Sequence, residues 1–302
     1  MAFESDYLVD RLRLKRRLTF WRIATIVAVV GATVIGYTRF SDPLGGENFI
    51  ARVEVRGLIV HDAARIRKIR KLAQNDSVKA VIVCIDSPGG TVVGGETLHN
   101  ALLALGEEKP LVAVMGSIAT SAAYMTAIAT DRLFARKGTL TGSIGVILQT
   151  TEITKLLKMV GISARSFKSG LLKAAPSPLE PVTPEVEAAT QSLVAEMYSM
   201  FQEMVIRRRY LTEADAAKFS DGRVFTGVQA LRVGLVDQIG GEEDAKAWLV
   251  ENKKLPADVK IRTVRIQPEG RSLLLQLDSL VRKTFLSERL TLDGLISLWQ
   301  PQ

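Results

Sequence analysis

The sequence is short of the residues that most metal, redox and nucleic-acid proteins depend on. Its one cysteine, Cys84, cannot form an internal disulfide or build a zinc site alone. Its two histidines, His61 and His99, leave no material for a metal cluster. Aromatic residues make up 6% of the 302, too few for a platform that stacks single-stranded bases. Glycine (23) and proline (10) are too sparse for a low-complexity or collagen-like chain. Any catalysis is therefore expected to run without metal, cofactor or paired thiols.

What is present is ordinary for a globular chain: 47% apolar and 24% charged residues, over a length that fits one or two domains. The net charge of +8 is uneven. Residues 1–22 carry six bases (Arg11, Arg13, Lys15, Arg16, Arg17, Arg22) against Glu4, Asp6 and Asp10. A nucleic-acid partner is not expected, because an uncharged run, Ile23 to Tyr37, follows at once. Extended back to Leu18, that run reaches about 30 Å as a helix, the thickness of a hydrocarbon core. Trp21 and Tyr37 fall at the two interfaces, and Arg22 can snorkel to the headgroups. The positive-inside rule keeps the N-terminus in the cytoplasm and sends the rest across the membrane. No A-x-A-like site follows Tyr37, so an uncleaved anchor is expected rather than a signal peptide. The organisation read from this is a basic segment (1–22), a transmembrane anchor (23–37), a linker (38–48), a folded domain (49–255) and a helical tail (256–302).

From Phe49 the pattern alternates strand and helix. Phe49–Val60 has period two, and Val78–Ile85 is a continuous β-branched run of the kind buried on both faces of a sheet. Asp62 is placed to cap a basic amphipathic helix over 62–74. Further strands are expected at 111–115, 131–135 and 162–167, and helices at 93–105, 121–130, 152–160 and 184–209. The repeated βαβ rhythm implies an α/β fold with a mainly parallel sheet.

Three turns hold candidate chemistry. Asp86-Ser-Pro-Gly-Gly90 links a buried strand to a helix; such a glycine turn can present N–H donors to an oxyanion or serve as a plain connection. It lacks the spacing of a dinucleotide or phosphate loop. In Met115-Gly-Ser-Ile-Ala-Thr-Ser-Ala-Ala-Tyr124, Ser121 starts a helix, either as an N-cap or as a nucleophile at the helix N-terminus. There is no G-x-S-x-G elbow, which disfavours an α/β-hydrolase. In Phe167-Lys-Ser-Gly-Leu-Leu-Lys173, Lys173 has apolar neighbours. Burial would lower its pKa until the neutral amine could accept a serine's proton; read alone, it is a solvated surface lysine. His61 and His99 read as structural.

Together DSPGG, TSAAY (120–124), TGSIGV (141–146), FKSGLLK (167–173) and DGRVFTGVQALRVGLVDQIGG (221–241) resemble the signal peptide peptidase A family of membrane-anchored serine proteases. The resemblance runs over about residues 50–250 and agrees with the anchor of the family's short form. It implies a caseinolytic-peptidase/crotonase-like spiral over 49–255. It implies a Ser–Lys dyad with Ser121 as nucleophile and Lys173 as general base, and Ser143 holding the lysine. The backbone N–H groups of Gly90 and Ala122 would form the oxyanion hole. The implied substrates are cleaved signal peptides and other short apolar peptides. The implied partners are copies of the chain, up to a dome of eight, in the cytoplasmic membrane with the catalytic domain outside. Ala122-Ala123 replaces the family's common Gly-Gly, and the added methyls are expected to narrow the neighbouring pocket. Two other readings of the same turns are a crotonase-like acyl-CoA enzyme, which would bind a nucleotide and not need Ser121, and a tethered scaffold without chemistry.

Overall fold

The computed structural model describes residues 17, 20–31, 33, 47–219, 221–266 and 296–298. The chain divides into two units, Met1–Glu47 and Asn48–Gln302. In the first, residues 20–31 are helical. The hydroxyls of Thr25 and Thr33 donate to the carbonyls of Trp21 (2.8 Å) and Val29 (2.7 Å), so both polar groups are satisfied inside the helix. Among the described residues no helix is long and apolar enough to cross a membrane. The far end of the expected anchor, residues 34–37, lies outside them.

The second unit is built on an eight-stranded sheet. Strands β1 (Phe49–Arg56), β2 (Val78–Ser87) and β4 (Leu111–Thr120) run parallel at its centre. The β-branched run of β2 is buried on both faces, as its lack of alternation requires. Helix α1 (Ala63–Ala73) follows β1, and the Asp62 carboxylate accepts from the N–H groups of Ala64 and Arg65, the expected cap. A short strand β3 (Gly89–Thr91) leads into α2 (Val92–Glu108), whose N-cap is Thr91.

Strand β4 runs five residues past Met115, where a loop was expected. Its first half pairs with β5 (Arg132–Ala135) and its second half with β6 (Leu140–Gly142), so the sheet forks at Gly116. The fork is held by Asp86. Its carboxylate accepts from the N–H groups of Ser117 and Ile118 at 3.1 and 3.2 Å, beside the register shift between β2 and β4. Helix α3 (Ala122–Ala127) is six residues, shorter than the expected 121–130.

Beyond the fork come α4 (Thr154–Met159), α5 (Pro184–Arg209) and α6 (Glu213–Ala217), then β7 (Val224–Thr226), α7 (Gly227–Arg232), β8 (Gln238–Ile239) and α8 (Glu242–Lys253). Arg208 of α5 donates to the carbonyls of Ile128, Ala129 and Thr130, which fastens the C-terminal end of α3. Residues 162–167, read as a strand, are neither strand nor helix. They are exposed along most of their length and have no sheet neighbour to pair with. Part of the expected helical tail is extended instead: β9 (Lys260–Val264) adds to the sheet edge parallel to β1, and β10 (Ile296–Leu298) pairs antiparallel with β3.

Candidate active site

Four of the five residues singled out in the sequence meet at the end of β4. Ser121 joins β4 to α3 and is 1% exposed. Thr120, just before it, donates from Oγ1 to the carbonyl of Pro88 at 3.0 Å, which draws β4 against the DSPGG turn. The Ser121 amide donates to the carbonyl of Gly142 at 2.9 Å, so Ser143 follows directly on the residue that holds the serine backbone. The Ser143 amide is in turn held by the carbonyl of Arg223 at 2.9 Å. Gly90 sits in β3 at the bottom of the same turn. A Cβ there would lie 1.8 Å from the carbonyl oxygen of Ile59, so only glycine lets the backbone pass this close.

Ser121 does not act as the helix cap that one reading of the sequence allowed. Its side chain makes no capping hydrogen bond, and its backbone stands at φ 58°, ψ −123°. This is the sharp, strained strand-to-helix turn that carries the nucleophile in α/β-hydrolases, reached here without a G-x-S-x-G motif. With α3 only six residues long, the helix dipole contributes less than expected.

Two positions of strained backbone lie at this site. Among the described residues five other than glycine have positive φ: Ser121, Ser143, Ala174, Tyr210 and Lys254. Tyr210 and Lys254 are left-handed C-caps of α5 and α8, an ordinary use of that conformation. The remaining three are the two candidate serines and the residue following Lys173. Such conformations cost on the order of 1–3 kcal/mol each and persist where the surroundings impose them, most often at functional sites.

Lys173 itself is exposed, the surface lysine of one reading of the sequence and not the buried amine of the other. It lies on the loop closed by the Lys168–Glu180 ion pair. That hydrogen bond from Lys168 also holds the Glu180 carboxyl below its usual range. The neighbours are exposed as well: Phe167 is 98% exposed and Leu171 87%. A single subunit therefore leaves this lysine in solvent, and its desolvation would have to come from outside the subunit.

Neither of the sequence's other nucleophile or base candidates competes. Burial pushes the Cys84 thiol up to about 11, so it is not a thiolate at neutral pH. His99 is buried, its Nδ1–H donates to the carbonyl of Met125 at 2.7 Å, and burial lowers its pKa to about 4. This depression has a sign that can be checked. An unfolded histidine protonates near 6.5 while the native one resists to about 4, so native stability is complete above pH 6.5 and falls as pH drops through that window. The loss approaches about 3 kcal/mol. His99→Asn, which keeps a donor for Met125 but cannot titrate, is expected to remove that part of the decline in urea unfolding between pH 6.5 and 4. Parallel declines in both proteins would show that His99 does not carry it.

The methyl of Ala122 does not reach into an open pocket. Ala122 and Ala123 are fully buried, and a Cβ built on Gly95 of α2 would come within 2.9 Å of the Ala122 Cβ. The methyl is thus accommodated between helices, by a glycine on the facing one. Past Ser143, residues 144–146 and one face of α5 (Gln191, Val194, Ala195, Tyr198) line a cleft of about 330 Å³.

Residues 104–256 match the model of peptidase family S49. A Synechocystis sp. protein named as a protease is 38% identical over 217 residues, which cover 71% of this chain and 78% of the relative. An Enterococcus faecium protein named as signal peptide peptidase SppA is 31% identical over 191 residues, covering 63% of this chain and 56% of the relative. Among solved structures, a ClpP1 mutant from Listeria monocytogenes superposes with a TM-score of 0.43 and 17% identity, over 64% of this chain and 92% of that one, a likeness too low to assign the fold.

Proposed function

The chain belongs to peptidase family S49, the family of signal peptide peptidase A, and from that premise we propose that it is a membrane-anchored serine endopeptidase with a Ser121–Lys173 dyad. In this reading Lys173 takes the Ser121 proton as Oγ attacks a peptide carbonyl. The bond to the leaving amine breaks and the amine takes the proton, giving an acyl-enzyme that water, deprotonated by the same lysine, then releases. The amides of Gly90 and Ala122 receive the oxyanion, and Ser143 orients the lysine.

The observation that carries this reading is the placement of strain. Both candidate serines and the residue after the candidate lysine hold positive φ, and none of them is a left-handed C-cap. A scaffold with merely structural turns has no use for two such positions inside the motifs of a peptidase and a third directly after another.

The substrates proposed are short apolar peptides, foremost the remnants of signal peptides. The helix at residues 20–31 supports anchoring: apart from Arg22 near its start and Thr25, its side chains are apolar and most are exposed, and the hydroxyls of Thr25 and Thr33 are bonded internally, as hydrocarbon requires. The proposed topology has the N-terminus in the cytoplasm and the catalytic domain across the membrane. Tethering there raises the effective concentration of peptides left in the bilayer. Exposed Ile147, Leu156, Ile162, Phe167, Leu171 and Leu179 support a homo-oligomer, in which a neighbouring copy covers the Lys173 loop and removes it from water.

A fluorophosphonate probe tests the reading. A covalent adduct on Ser121, found by peptide mapping of the membrane-extracted protein, is the expected result. A protein that hydrolyses peptides while Ser121 stays unmodified would overturn it.

A further inference from the structure

The connection from α4 to α5 runs from Val160 to Thr183 without helix or strand. Ordered loops of this length in a compact domain usually carry function. Two backbone bonds tether it: the Ile162 amide donates to the carbonyl of Leu157 and the Ile153 amide to the carbonyl of Pro178, both at 2.9 Å. Between those tethers every residue from Ser163 to Ala174 is exposed except Lys168. The Lys168 side chain is 17% exposed, because its ammonium turns in to the Glu180 carboxylate on the returning leg. The Ser166 hydroxyl donates to the same carboxylate. Lys173 lies between these partners on a tight reversal. Its amide donates to the carbonyl of Gly170 at 3.1 Å, and the Ala175 amide donates to that of Leu172 at 3.2 Å. Ala174, at φ 59°, turns the chain back.

We propose that Lys168 and Glu180 are positioning residues for the general base: their ion pair cinches the loop and fixes where Lys173 presents its amine. The inference rests on the peptidase reading, which makes Lys173 that base. Without the pair the free span runs from Ile162 to Pro178, and a longer span lets the amine sample a larger volume. With it, the span shrinks to the residues between Lys168 and Glu180. Proton transfer needs the amine within hydrogen-bond reach of the hydroxyl. The fraction of time spent there enters kcat directly, while substrate binding is untouched. An ion pair partly open to water adds little to global stability. Its loss therefore shows in the rate and not in the melting temperature.

The experiment combines peptide-ester kinetics with amide hydrogen exchange on the membrane-extracted protein. Lys168→Met, which keeps most of the stem and loses the charge, is expected to lower kcat by about ten-fold or more, with KM and the unfolding midpoint little changed. Exchange over residues 169–175 should become faster. Reversing the pair, Lys168→Glu with Glu180→Lys, should recover most of the rate, whereas Lys168→Glu alone sets two carboxylates face to face and should be slowest. In a Lys173→Ala background Lys168→Met should cost nothing further, since no base is left to place. A loss that persists in that background would show a general structural effect and overturn the positioning role. Unchanged kcat and exchange in Lys168→Met, with Lys173→Ala inactive, would overturn it and leave the dyad intact. Full turnover by Lys173→Ala would end the dyad and the positioning role with it, even where Lys168→Met speeds exchange.

Discussion

Replacing Lys173 by alanine is expected to lower kcat for a peptide ester by about 10²- to 10⁴-fold while KM changes little. A serine hydroxyl is a poor nucleophile unless a base takes its proton in the transition state. His99 cannot supply that base, since its ring is committed to Met125 and buried. His61 is engaged elsewhere, with its Nδ1 3.4 Å from Thr97 Oγ1 of α2. Lys173→Arg should be as inactive as the alanine variant, because a guanidinium does not give up its proton in a protein. That comparison separates a base from a charge: a lysine that merely attracts substrate would be rescued by arginine, and KM would carry the effect. Steady-state kinetics on the assembled, membrane-extracted protein is the measurement, and turnover unchanged by Lys173→Ala would end the dyad.

Replacing Ser121 by alanine should be comparably severe, at least about a thousandfold in kcat, with the fold retained. Retention follows from the structure, because the side chain makes no capping hydrogen bond and alanine fills the same buried space. The double variant Ser121→Ala, Lys173→Ala should be no slower than either single one, since the two groups act in one proton transfer. Multiplying losses in the double variant would show that the two residues work independently.

Much of the framework is legible in the residues because its causes are local. The unbroken β-branched run of β2 and the Asp62 cap depend on neighbours within a few positions, and both stand where the pattern puts them. The second half of β4 does not. Gly116-Ser-Ile-Ala-Thr120 looks like a loop, and it is strand because a carboxylate 31 and 32 residues back satisfies two of its amides. Residues 162–167 fail in the opposite way: the segment reads as a strand, but among the described residues none pairs with it. At the site, the motifs pick out Ser121, Ser143 and Gly90, which the fold gathers. Strain at Ser121 could not be read locally, for it is imposed by the carbonyl of Gly142 and the anchoring of Thr120 to Pro88. Exposure of Lys173 agrees with its reading as a surface lysine, since apolar neighbours predict burial only where something lies over them.

The twist at Ser121 sets folding and chemistry against each other. A glycine there would relax the turn, so by the standard of stability alone the serine is the inferior residue. A drift toward glycine would leave a sturdier protein that cuts nothing. Wherever this position is still serine, it is retained in spite of what the fold would choose.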